Sequence, residues 1–123
     1  MFTFKKTERL CSKKDIELLY NKGRNKTSFP LKLYWQTSVF DSPFPARVVI
    51  SVPKRQFKKA PSRNRIKRQI REVYRLNKHL LYEQLGEKEK KLNLWILYVG
   101  NSFPTSTHLT NSLLSLFKDI EIK

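Results

Sequence analysis

The sequence predicts an α+β fold, one small sheet with helices packed on it. Three observations carry this. Residues 31–36 and 46–52 alternate apolar with polar side chains, as half-buried strands do. Residues 92–100, LNLWILYVG, are nearly all apolar, which suits a strand covered on both faces. The stretch from Ser62 to Leu85 has helical periodicity, with apolar and cationic residues on opposite arcs. No repeat, linker or low-complexity run interrupts the 123 residues, so a single domain over 1–123 is expected.

The first element is a helix over residues 13–22. Ser12 can cap it, Asp15 favours its first turn and Gly23 stops it, while Ile16, Leu19 and Tyr20 share one face. In the first strand Leu31, Leu33 and Trp35 point one way and Lys32, Tyr34 and Gln36 the other. The Pro-rich stretch VFDSPFP is a loop. Alternation resumes with Ala46, Val48, Ile50 and Val52 opposite Arg47, Val49 and Ser51, and the two strands make a plausible antiparallel pair. The long helix follows, then the apolar strand. The last element is a helix capped by Thr105 or Thr107, with Leu109, Leu113, Leu116, Phe117 and Ile120 on one side.

At 100° per residue, Ile66, Ile70, Val73, Tyr74, Asn77, Leu80 and Leu81 share one arc of the long helix. Asn64, Lys67, Arg68, Arg71, Arg75 and Lys78 share the opposite arc, and Arg65 and Glu72 lie on the flank between. Lys67/Arg71 and Arg71/Arg75 are like-charged i, i+4 pairs, which destabilise an isolated helix by a few tenths of a kcal/mol. An ordinary solvated face mixes charge signs. A stripe without relieving acids calls for an external polyanion, and guanidinium groups suit bidentate phosphate grips. The whole chain agrees: 26 Lys and Arg against 10 Asp and Glu give a net charge of +16. That balance favours nucleic acid, with an anionic membrane surface as the weaker partner.

Other classes find little support. Cys11 is the sole cysteine, so neither an internal disulfide nor a cysteine zinc cluster can form, as suits a reducing cytoplasm. The opening MFTFKKTERL lacks an apolar signal region and no run is long enough to span a membrane, so a soluble cytoplasmic protein is expected. The acids are scattered with no D-x-D grouping, and His79 and His108 are isolated. Hydrolysing a phosphodiester calls for clustered carboxylates with metal ions, or for paired acid–base groups. No catalytic residue is therefore assigned to the chain.

SRNRIKRQIRE, with Arg63-Asn64-Arg65-Ile66-Lys67-Arg68 following RVVISVPKR, resembles the signature of the bacterial ribonuclease P protein subunit. Arg9-Leu10, Lys22-Gly23 and the run from Phe29 to Tyr34 stand in the same order as in that family, so the resemblance covers most of the chain. It implies an α–β sandwich of order αβββαβα, with an extra strand near residues 26–28 and a left-handed βαβ crossover through the signature helix. It implies a protein, monomeric and one per catalytic RNA, that helps the RNA remove the 5′ leader of precursor tRNA. Mg²⁺ would be bound mainly by the RNA, and no cofactor tightly by the protein. Carried over position by position, Arg63, Asn64, Arg65, Lys67, Arg68, Arg71 and Arg75 would face the catalytic RNA. Ile16, Tyr20, Tyr34 and Ser51, with Lys67 at the edge, would form the leader cleft. Two departures stand out: Ile16 replaces a frequent aromatic, and QFKKAPS replaces a shorter, Gly-containing turn. The rival readings are a ribosomal or general RNA-binding protein without a role in cleavage, and a DNA- or membrane-binding protein.

Overall fold

The computed structural model describes residues 8–10, 12–38, 44–88 and 91–120; Cys11 and most of the Pro-rich loop lie outside them. The order is α1 (Lys13–Lys22), β1 (Arg24–Ser28), β2 (Leu31–Thr37), β3 (Ala46–Ser51), α2 (Ala60–Lys88), β4 (Leu92–Tyr98) and α3 (Ser106–Asp119). The α+β order αβββαβα is as expected.

The four strands lie in the order β1-β2-β4-β3. β2 therefore does not pair with β3, contrary to the antiparallel pair expected from sequence. β4 lies between them, antiparallel to β2 and parallel to β3. Its composition explains the position. Leu92, Leu94, Ile96 and Tyr98 face one core while Trp95 and Leu97 face another, so only a central place covers both sides. β1, RNKTS, has no apolar alternation and is held by its ladder to β2. It forms an exposed, basic outer edge, which discourages strand addition. The other edge is partly covered, because Arg9 bridges to Val48 and the Leu10 amide donates to the Val48 carbonyl at 2.8 Å.

Helices α2 and α3 cover one sheet face. Leu31, Leu33, Val48, Leu94 and Ile96 of the sheet form one core with Ile66, Ile70, Tyr74 and Leu81 of α2 and Leu109, Leu113 and Leu116 of α3. α1 covers part of the other face, where Leu19 packs with Leu10 and Tyr34 over a smaller core. Ser12 caps α1, its hydroxyl accepting from the Asp15 amide at 3.3 Å, and the Gly23 amide closes the helix on the Leu19 carbonyl. Of the two candidate caps for α3, Thr105 does the work: its hydroxyl accepts from the His108 amide at 3.1 Å. Arg47 braces α1 against the sheet, donating to Asn93 Oδ1 and meeting Asp15 at 3.3 Å.

Candidate nucleic-acid interface

The first surface is the outer side of α2. Its buried residues are Ile66, Ile70, Val73, Tyr74, Lys78, Leu81 and Leu85, while Leu76 and Leu80 are exposed. The sequence reading placed Lys78 on the cationic stripe and Leu80 in the core, and both assignments reverse. The buried arc drifts along the helix. From Ile66 and Ile70 to Leu81 and Leu85 its centre rotates by roughly 60° at 100° per residue, as a long helix crossing a twisted sheet requires. Lys78 thereby turns inward, where its ammonium pairs with the buried Glu8 carboxylate. The Tyr82 hydroxyl donates to the same carboxylate at 2.5 Å. Burial, then the neighbouring Tyr74, then Glu8 hold that hydroxyl far above the usual tyrosine range.

The stripe is thus confined to the N-terminal half of α2. Pro61, Asn64, Lys67, Arg68 and Arg71 line an open depression of about 500 Å³. Among the described residues, the side chains of Asn64, Lys67, Arg68 and Arg71 find no hydrogen-bond or ion-pair partner. The other three expected contacts are engaged within the protein. Arg63 donates through Nη1 to the carbonyls of Phe57 at 2.8 Å and Lys58 at 2.9 Å. It clamps the atypical loop before the helix, whose Phe57 is buried against Tyr98 and Phe103. Arg65 lies over the Phe103 ring, its Cζ 4.3 Å from the centroid. Arg75 pairs with Glu72, Nε donating to Oε2 at 3.1 Å, and this bond holds the Glu72 carboxyl below its usual range. The expectation that no acid relieves the stripe therefore fails at its C-terminal end.

The second surface is the half-covered sheet face beside α1. It brings Ile16, Tyr20, Tyr34 and Ser51 together, and Trp95 joins them. Tyr34 and Trp95 are cross-strand neighbours whose rings stack at 4.8 Å, tilted by 24°. The Trp95 indole N–H donates to Ser51 Oγ at 3.0 Å. Tyr20 stands over both rings, its centroid 6.1 Å from each. Exposure separates the two tyrosines: Tyr20 is 63% exposed and Tyr34 only 6%. Tyr34 is floor, and Tyr20 is the open aromatic face. Lys32, its ammonium 5.1 Å from the Tyr34 centroid, adds a cation. Lys67 instead lines the depression on α2.

Sequence reasoning missed Trp95 because its strand read as uniformly apolar. Asn93 was the available signal: it shares parity with Trp95 and Leu97, and a polar residue in that row marks the face as the less apolar one. Among the described residues no group of three or more His, Cys, Asp and Glu could hold a metal ion. Asp15, Glu72 and Asp119 each face a cation. The described carboxylates do not gather into a Mg²⁺ donor set. Among the described residues no helix is long and apolar enough to cross a membrane.

Comparison with known proteins follows the same lines. The family model described as ribonuclease P matches residues 4–121. The ribonuclease P protein component of Porphyromonas gingivalis strain ATCC 33277 is 32% identical, over 84% of this chain and 75% of its own. That of Chlorobium phaeobacteroides is 32% identical over 98% of this chain and 89% of its own. The fold is similar to that of the RNase P protein from Thermotoga maritima, with a TM-score of 0.74 and 24% identity over 93% of this chain and 98% of that one. The Staphylococcus aureus RNase P protein gives 0.71 and 23% identity over 91% and 94%. A basic helix seated between two parallel strands, the Arg-Asn-Arg run at its head and a family match over nearly the whole sequence agree: the chain belongs to the ribonuclease P protein family.

Proposed function

We propose that this protein grips the catalytic RNA of ribonuclease P with the N-terminal half of α2 and holds the 5′ leader of precursor tRNA in the cleft beside α1. The observation that carries the reading is the depression lined by Asn64, Lys67, Arg68 and Arg71, polar and cationic groups without protein partners in a chain of net charge +16. Arg63 and Arg65 support it indirectly, one shaping the loop and the other held against Phe103. Tyr20 offers an aromatic face to an unpaired base, with Tyr34 and Trp95 as its support and Lys32 beside them for phosphate. The protein's part is electrostatic: it screens two polyanions from each other and leaves Mg²⁺ and the bond-breaking to the RNA.

The test is assembly with a ribonuclease P RNA. Wild-type affinity should fall steeply with salt, each neutralised phosphate contributing a log–log slope of about −0.7 to −0.9. Arg68→Glu with Arg71→Glu should abolish tight binding and flatten that slope with little change in the melting transition. Cleavage of precursor tRNA at low Mg²⁺ should require protein and RNA together. Unchanged affinity and slope in the double variant, or cleavage by the protein alone, would overturn the reading.

A further inference from the structure

The loop between β4 and α3 is fixed at several points. A Cβ at Gly100 would stand 2.6 Å from the Tyr98 hydroxyl oxygen, so only glycine lets the chain fold back this closely. The Tyr98 hydroxyl donates to the Ser102 carbonyl, and Gln69 of α2 donates to the Pro104 carbonyl at 3.2 Å. This well-tethered loop presents Phe103 at 45% exposure. The core does not need the ring, because Phe57, buried 5.7 Å away from it, already closes that end. Arg65, itself exposed, lies over the ring; the exposed Asn64 and Arg68 are near it in sequence on α2, and the exposed Lys58 and Lys59 stand in the loop that leads into the helix.

We propose that Phe103 and Arg65 form a stacking shelf for one unpaired nucleobase of RNA, separate from the cleft of Tyr20. Unpaired bases stack on aromatic rings and on guanidinium planes, and here the ring holds the guanidinium in place. Neighbouring cations match the phosphates on either side of such a base. The base belongs either to the catalytic RNA or to the leader. The proposal rests on the reading of α2 as an RNA-binding surface.

Three variants test it: Phe103→Leu, which keeps an apolar contact with Phe57 but no aromatic face, Phe103→Tyr, which keeps the face, and the Arg68→Glu/Arg71→Glu control. Each is titrated with ribonuclease P RNA, and each assembled holoenzyme with precursor and mature tRNA. Phe103→Leu should weaken binding about 5- to 100-fold, the equivalent of one base stack, without changing the salt slope. Phe103→Tyr should stay within about 2-fold of wild type on the same scale. A loss toward the catalytic RNA assigns the base to that RNA; a loss confined to precursor tRNA assigns it to the leader. If Phe103→Leu binds every ligand as wild type does while the control fails, the shelf is refuted. It is refuted equally if Phe103→Tyr loses as much as Phe103→Leu, since loop shape rather than the aromatic face would then matter. A control that binds normally removes the RNA-binding reading and the shelf with it.

Discussion

Tyr20 and Tyr34 share a residue type and a cleft, yet burial gives them different work. Tyr34 lies under Tyr20 and against Trp95, so Tyr34→Ala should open a cavity and cost about 3–5 kcal/mol of stability, read by urea denaturation. Tyr20→Ala removes an exposed ring and should leave stability within about 1 kcal/mol. In assembled holoenzyme it should weaken precursor tRNA by about 1–3 kcal/mol and leave mature tRNA, which has no leader, unaffected. Parallel losses for both ligands in Tyr20→Ala would refute the leader-cleft assignment. Strand alternation put Tyr34, and helical spacing Tyr20, on the correct face, but neither pattern could rank their exposure. That ranking depends on Trp95, a residue 61 positions beyond Tyr34 that becomes its neighbour only through the β2–β4 register.

α2 shows at the scale of an element why a helical period reads well at one end and fails at the other. Ile70 is 1% exposed and Arg71 lies on the open side. Ile70→Ala should therefore cost about 2–5 kcal/mol, while Arg71→Ala stays within about 0.5 kcal/mol or stabilises by relieving repulsion. Equal losses in thermal melts would mean that the helix is seated differently. Near Ile66 a fixed 100° step identifies core and stripe correctly. By Lys78 the arc has drifted, and a lysine read as solvent-facing is buried because Glu8, 70 positions earlier, waits to pair with it. Local pattern likewise found β2, β3 and β4, whose side chains alternate or are wholly apolar. β1 was expected only through the family resemblance, because backbone bonds to β2 define it. Strand order is a long-range property, and the periodicity of β2 and β3 held no sign that β4 would separate them.

Over the whole molecule, the buried Glu8–Lys78 pair ties the segment before α1 to the middle of α2. Lys78→Met should cost about 3–5 kcal/mol by leaving the Glu8 carboxylate buried without its cation. Adding Glu8→Leu should recover part of that loss, and denaturation of the single and double variants measures the coupling. No recovery would place the cost in packing rather than charge. The central place of β4 has a consequence in time as well as in space. A ribosome makes β1, β2, β3 and the whole basic helix before it makes the strand that joins them. Until Tyr98 has emerged, β3 has no ladder to the β1–β2 hairpin, and the apolar arc of α2 lacks the strand that makes one sheet of the other three. Closing that gap requires pairing across the length of α2, the kind of long-range contact that slows folding. The nascent chain therefore carries the cations of α2 before it has the framework that aligns them, and the two surfaces mature together when β4 slots into place.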